Sequence, residues 1–167
     1  MKSLELRWGL IIGAANLVWL YGSYYLGLHT SGLGAMQAMV VVSLAISIVG
    51  YVLAMRALMR QAPETSIPEG IRSGAIIAGV AAAIAVLAQV GYFKMINPGW
   101  TEFMVEQTRE HFANAGLEEE QLALVVEQSK KTFGLGSYAI QAAMGALVIG
   151  MLTSTISLFV IRRRQSV

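Results

Sequence analysis

The chain has 167 residues, of which 56% are hydrophobic and 13% charged, against about 25% charged in an ordinary globular domain. It has no cysteine and no aspartate, which excludes disulfides, thiolate nucleophiles and Cys-ligated metals and leaves two histidines as a poor metal set. A net charge of +2 and a pI near 9.0 would suit nucleic acid, but the basic residues sit beside long apolar runs and read instead as membrane topology signals.

Four such runs occupy most of the chain, at 8–28, 34–55, 74–95 and 138–161. Each is long enough for a helix to cross a hydrocarbon core of ~30 Å, which takes ~20 residues. The fold class expected is therefore all-α: a four-helix transmembrane bundle forming one membrane domain over 1–167. The first run begins after Lys2 and Arg7, as a signal peptide does. It is too long, however, no small-residue cleavage site follows it, and Tyr24-Tyr25 at its exit suits a membrane interface, so it is expected to be a retained helix. The link His29–Leu33 predicts a tight turn and an antiparallel helical hairpin. The link Arg56–Ser73, with Pro63 and Pro68, predicts a short polar loop, and the tail Arg162–Val167 is too short to fold.

Between the third and fourth runs lies an insertion over 97–136. Asn97-Pro98 predicts a helix start, with a capping side chain followed by a residue that needs no N–H partner. A helix over Gly99–Ala113 should end near Asn114 and Gly116. Glu118, Glu119 and Glu120 then favour the positive end of a second helix. Its apolar stripe is Leu122, Val125, Val126 and Phe133. Trp100, Phe103 and Met104 would anchor the first of these helices on lipid or on its neighbour. With Leu122 and Val126 they form an outer platform, read as either a solvated cap on the bundle or a surface for a partner or lipid.

Charge orients the bundle. With the N-terminus in the cytoplasm, the inner segments hold Lys2, Arg7, Arg56, Arg60, Arg72, Arg162, Arg163 and Arg164, and the outer ones Lys94, Arg109, Lys130 and Lys131. That bias places both termini inside and makes the 97–136 insertion extracytoplasmic. Tyr21, Tyr24, Tyr25, Tyr92, Trp100 and Tyr138 then collect at the outer interface. A repeat is also visible. LRWGLII at Leu6–Ile12 and IRSGAII at Ile71–Ile77 share Arg, Gly and two Ile at one spacing, and Gln37-Ala38 and Gln141-Ala142 each lie 24 residues before another Gln preceded by Arg. A parallel duplication of a two-helix hairpin, with the insertion in its second copy, accounts for both matches. Coincidence within a small membrane alphabet is the alternative.

Membrane helices associate through small residues and hydrogen bonds. Gly9 and Gly13 form one such pair; Ala142, Ala146, Gly150 and Ser154 form a longer stripe, and Ala75, Gly79 and Ala83 a third. Each suits packing within the chain, or a seam with a second copy or partner subunit. The polar residues Asn16, Gln37, Gln89 and Gln141 suit interhelical hydrogen bonding, or alternatively a ligand-binding cavity open to the outside. No carboxylate, Lys or His stands near the membrane centre, where proton-coupled transporters place one. No nucleophile elbow, zincin motif or phosphate loop is present, and neither a catalytic residue nor a cofactor is expected.

The Arg-x-Gly opening of the first run, the Arg56 exit of the second, the Ile96-Asn97-Pro98 exit of the third, the charged outer segment and the terminal arginines resemble one family, domain of unknown function 4199. That resemblance implies a bacterial inner-membrane protein, of Bacteroidetes or relatives, and carries no activity. The function expected first is a non-enzymatic scaffold or accessory subunit that lies in the lipid bilayer and binds another membrane protein or itself, with no nucleic acid. A small lipid or solute carrier is the alternative. A membrane enzyme on a lipid-linked substrate, with its acid or base among Glu102, Glu106, Glu110 and His111, is the third.

Overall fold

The computed structural model describes residues 2–31 and 33–165, with backbone alone for 2, 33–36, 164 and 165. Among the described residues the regular structure is all helical, in six α-helices: α1 (Lys2–Tyr25), α2 (Leu33–Gln61), α3 (Ile67–Gly91), α4 (Trp100–Asn114), α5 (Glu119–Thr132) and α6 (Leu135–Gln165). A 3-10 turn, Leu28–Thr30, links α1 to α2, and a π-helical segment, Tyr92–Ile96, continues α3. Three stretches are long and apolar enough to cross a membrane: Gln37–Gln61, Ile67–Ile96 and Leu135–Arg163. α1 does not reach that composition, because Trp8, Asn16, Trp19, Tyr21, Tyr24 and Tyr25 dilute its aliphatic residues.

The chain forms two compact units, one from the ranges 1–85 and 143–167, the other from 86–142. In the first, Ile12, Tyr51, Ala54, Ile77, Ala78 and Ala81 make one buried cluster. Met55, Leu58, Met59 and Leu158 make a second, flanked by Leu4, Ile67, Ile71 and Ile161. All four long helices contribute to this unit's core, yet α2 and α6 keep rows of exposed aliphatics, among them Val40, Val41, Val49, Val148, Leu152 and Ile156. Only 17% of the α2 apolar window and 22% of the α6 window is buried. In water such surfaces would be a heavy cost; in hydrocarbon they are at no disadvantage.

The α2–α3 link is shorter than the expected polar loop. α2 runs past Arg56 and Arg60 to Gln61, and α3 begins already at Ile67. The cause is a capping box: the Ser66 N–H donates to Glu69 Oε2 at 2.8 Å, and the Glu69 N–H is returned to Ser66 Oγ at 3.4 Å. Two orphan donors are thereby satisfied, and Pro68 sits in a first turn that needs no N–H from it. The C-terminal tail also departs from expectation: α6 continues through Arg162 to Gln165. The Arg162 guanidinium donates to the Thr65 carbonyl, which ties this end to the α2–α3 link. In the α1–α2 turn the 3-10 segment follows Gly27, at φ 73°; position 32 of the expected His29–Leu33 turn lies outside the described residues.

In the second unit α4 and α5 form a helical hairpin. α4 ends as expected, with Gly116 at φ 81°. The Gly116 N–H donates to the Ala113 carbonyl at 3.0 Å and the Leu117 N–H to the Phe112 carbonyl at 3.2 Å, the paired bonds of a Schellman cap. A side chain at this left-handed position is strained by about 1 kcal/mol. Gly116→Ala is therefore expected to lower the melting midpoint in detergent, and Gly116→Asn to lower it less; equal midpoints for Ala and the parent would refute the cap. The start of α4 differs from expectation. Gly99, not Asn97, is the N-cap, and no side chain caps the helix. Asn97 closes the π turn instead: its N–H donates to the Tyr92 carbonyl at 2.7 Å and its amide to the Tyr92 hydroxyl at 3.1 Å.

Candidate functional site

The polar residues of the first unit meet in pairs across helices. Asn16 projects from α1 toward α2, where Ser43 and Ser47 stand one turn apart. The Ser43 hydroxyl donates to Asn16 Oδ1 at 2.6 Å. Asn16 Nδ2 donates to Ser47 Oγ at 3.1 Å and to the Ile12 carbonyl of its own helix at 3.1 Å. The amide thus uses both its acceptor and its donor groups. Trp19 Nε1 donates to the Met39 carbonyl at 3.0 Å, a second α1–α2 tie, and Tyr51 on α2 donates to the Ala146 carbonyl on α6 at 3.3 Å. At the other end of α1, Ser73 on α3 donates to the Glu5 carboxylate, and both are buried.

Glycines let these helices approach. A Cβ on Gly9 would lie 2.6 Å from Val80 Cβ and 2.9 Å from the Ile77 carbonyl, and one on Gly13 would lie 2.6 Å from Ile84. One on Gly150 would meet the Tyr51 ring at 2.6 Å and Ala78 at 2.7 Å. Gly50 is closed by Ile12, Gly70 by Leu158 and Gly74 by Ser154. Gly9, Gly13 and Gly150 therefore face side chains of their own chain. Ser154, on the same stripe as Gly150, is buried, and its hydroxyl has no hydrogen-bond partner in the structure. Ala142 and Ala146 are half-buried.

The three glutamines stand differently. Gln37 is exposed on α2, and Gln89 is half-buried on α3. Gln141 is exposed, and its amide donates to Ser137 Oγ, one turn back on α6, at 2.9 Å.

On the α4–α5 hairpin, Trp100 is not on the surface. It is buried in an aromatic cluster, with its ring centroid 6.3 Å from Tyr92, 6.4 Å from Tyr138 and 5.9 Å from Phe103. Phe93 joins through Tyr138 at 5.3 Å. The Trp100 contacts with Tyr92 and Tyr138 are edge-to-face, at 75° and 84°, and such contacts add to the area they bury. Phe103 is partly exposed, and Met104, Leu122 and Val126 are half-buried. Thr101 Oγ1 donates to the Phe133 carbonyl at 3.0 Å, joining the start of α4 to the end of α5. Glu102, Glu106, Glu110 and His111 are all exposed. Among the described residues no group of three or more His or Glu side chains is placed to hold a metal ion.

His29 is the residue that sequence reasoning undervalued. It is 5% exposed, in the α1–α2 turn, with Nε2 3.0 Å from Ser23 Oγ. Burial holds its pKa below the ordinary imidazole value, partly offset by a hydrogen bond to the Leu20 backbone. One signal was present: it is the single ionisable residue other than tyrosine between Trp8 and Met55.

No curated protein and no solved structure matches the chain. One family model does, over residues 7–163, and its description is Protein of unknown function (DUF4199). A match that takes in four of the six helices whole and all but the ends of α1 and α6 leaves little of the fold outside it, and the chain belongs to that family.

Proposed function

We propose that this protein is a non-enzymatic integral membrane component, a scaffold or accessory subunit that binds another membrane protein or a second copy of itself. The observation that carries the reading is the engagement of most of the bundle's polar groups within the bundle itself, Ser154 excepted. Asn16, Ser43, Ser47, Trp19, Tyr51, Glu5 and Ser73 all bond across or along helices. A catalytic or transport site instead holds polar groups ready for a substrate. What the molecule offers outward is apolar helix surface and a charged outer hairpin.

The reading includes four spans, with α1 as the first, and both termini inside a bacterial inner membrane. α1 has 24 residues, which at ~1.5 Å each is long enough to span. Its Gly9 and Gly13 lie against Val80 and Ile84, inside the candidate span Ile67–Ile96, so it runs at the same depth. Its aromatics gather toward one end, as interface residues do. Duplication of the hairpin fits the same picture: Gly9 and Gly74 occupy matching places in the two similar segments and both are points of close helix approach, while Ile12 and Ile77, also matching, share one core cluster.

Two experiments test this. Because the chain has no cysteine, Gln61→Cys and Glu119→Cys give single labelling sites. An impermeant thiol reagent applied to spheroplasts should modify Glu119→Cys and spare Gln61→Cys; the reverse would overturn the orientation. Gentle detergent extraction of the native protein, with mass spectrometry of what stays bound, should recover a stoichiometric protein partner or a homo-oligomer. A clean monomer would sink the scaffold reading. A stoichiometric lipid or solute on that monomer would favour a carrier instead, with Gln37, Gln89, Gln141 and Asn16 as the residues to test.

A further inference from the structure

α1 and α2 run antiparallel, in a register that contacts fix along their whole length. Trp19 reaches the Met39 carbonyl, Asn16 meets Ser43 and Ser47, and Ile12 closes on Gly50. Further along, Trp8 packs on the cluster that holds Tyr51 and Ala54, and Leu4 on the one that holds Met55, Leu58 and Met59. Each turn toward the start of α1 is a turn toward the end of α2. Arg7 therefore stands within about a turn of Arg56 along the axis.

On α2, Val49, Leu53, Arg56 and Arg60 recur at helical spacing and share one face. All four are exposed, on the side away from the buried Tyr51, Met55 and Leu58. On α1, Arg7, Ile11 and Val18 share a face in the same way. They are exposed and lie across the helix from Gly9 and Gly13, which meet α3. The two rows thus flank a groove on the side of the α1–α2 seam that faces away from the core, and both turn from aliphatic to arginine at the same end. Among the described residues the ion pairs are Arg109–Glu106 and Lys131–Glu127, both on the α4–α5 hairpin, and Arg7, Arg56 and Arg60 make no hydrogen bond. The carboxylates at this end are placed elsewhere. Glu5 accepts from the buried Ser73, Glu69 is held by Ser66 and feels the charge of Arg162, and Glu64 is exposed on the α2–α3 link, past the end of α2.

Aliphatic walls suit an acyl chain, and guanidinium forks suit phosphate oxygens, which they bind two at a time. We propose that the α1–α2 groove binds an anionic phospholipid, with an acyl chain along Ile11, Val18, Val49 and Leu53 and its phosphate held by Arg7, Arg56 and Arg60. The site rests on the chain lying in a bilayer and not on the scaffold reading. Its place in the cytoplasmic leaflet rests on the topology proposed above; the site itself does not. A lipid held here is a fixed part of the bundle's surface rather than a cargo, and it uses none of Gln37, Gln89 and Gln141.

The test is native mass spectrometry of the full chain in detergent, with dioleoyl phosphatidylglycerol and, for comparison, dioleoyl phosphatidylcholine, which has the same chains and no net charge. The parent is expected to hold the anionic lipid about tenfold more tightly, the equivalent of one charge-assisted hydrogen bond. Arg56→Gln with Arg60→Gln should abolish that preference and leave the melting midpoint unchanged, because both side chains are exposed. Arg72→Gln should keep it: Arg72 is also exposed, on α3, but has no second arginine one turn away. Equal retention of the two lipids by the parent would overturn the site. So would a preference that survives in the double variant, or one that Arg72→Gln also removes, since the lipid would then follow net charge alone. If the glutamine pair does not fold, Arg56→Lys with Arg60→Lys keeps the charge and loses the forks; a lysine pair that binds as the parent does would overturn the arrangement. Glycerol 3-phosphate, a phosphoglycerol head without chains, should leave the bound lipid in place at millimolar concentration. Displacement would mean a site for free phosphate esters and would overturn the lipid. Loss of the lipid on replacing Gln37, Gln89 and Gln141 by Leu, with the arginines intact, would move it to the carrier cavity and overturn the groove.

Discussion

Gly150→Ala and Gly9→Ala are each expected to lower the stability of the bundle by roughly 1–3 kcal/mol, the usual cost of adding a methyl group to a closed seam. The same change at Gly79 or Gly145, which have nothing within 4 Å of the added Cβ, is expected to be neutral or to stabilise by up to about 1 kcal/mol, since alanine is the better helix former. The contrast is informative because all four substitutions are chemically identical and all four lie within helices. At Gly150 the methyl meets the Tyr51 ring, which also holds the Ala146 carbonyl, and the Ala78 Cβ on α3. A ring can swing only if its hydrogen bond is lost with it. At Gly9 one neighbour is the Ile77 carbonyl, backbone that cannot turn aside, so α1 and α3 must separate. Melting midpoints in detergent check this, at about 2–4 °C per kcal/mol for a chain of this size. Equal midpoints for Gly9→Ala and Gly79→Ala would refute the packing of α1 on α3.

The same seams bear on partner binding. Small-residue stripes can serve a neighbouring chain as readily as their own. Gly9, Gly13 and Gly150 are filled from within, so they are poor candidates for a contact between chains. The partner proposed above is better sought on the exposed faces of α2 and α6 and on the α4–α5 hairpin. Partner loss on substitution of Phe103 or Leu124, both exposed on that hairpin, with unchanged melting, would place the contact there.

What could be read in the sequence was what local chemistry decides. The short helices α4 and α5 were legible because the turn between them is written in short-range signals: Gly116 stops α4 through a left-handed residue, and the glutamates after it open α5. The long helices were legible as apolar runs, but their ends were not. An apolar run stops where charge begins, whereas a helix stops where its hydrogen bonds run out, so α2 passes through two arginines and α3 starts several residues before its apolar stretch. The Ser66–Glu69 box that starts α3 follows the known capping pattern, and was overlooked behind Pro63 and Pro68. Asn97 has the chemistry of a cap and Tyr92 took it instead, a competition that only the π turn reveals. Nor does any sequence pattern show the depth of His29, because Ser23 and Tyr24 reach it only once the turn is made.

Asn16 shows the same limit and gives the second large effect. A lone amide in an apolar run announces a hydrogen bond but not its partner. Ser43 and Ser47, four residues apart on one face of α2, were the available clue, and the structure joins all three. Asn16→Leu removes both interhelical bonds and leaves two serines that can still satisfy their own hydroxyls on the α2 backbone. The expected loss is therefore modest, about 1–2 kcal/mol. Asn16→Asp should cost more. An aspartate keeps the acceptor for Ser43 but turns the donor toward Ser47 and Ile12 into a second acceptor, and, with α1 spanning the membrane as proposed, it brings a charge into hydrocarbon at about 2.5–3.5 kcal/mol for insertion alone. Asn16→Asp is thus expected to fold and accumulate less than Asn16→Leu, although it is the smaller change in shape. Raising the proton concentration should narrow the gap as the carboxyl is neutralised and regains a donor. A double-mutant cycle between Asn16→Leu and Ser43→Ala isolates the pair, with an expected coupling of ~0.6–1.7 kcal/mol. Zero coupling, or an aspartate variant as stable as the parent at neutral pH, would mean that Asn16 does not hold α1 to α2.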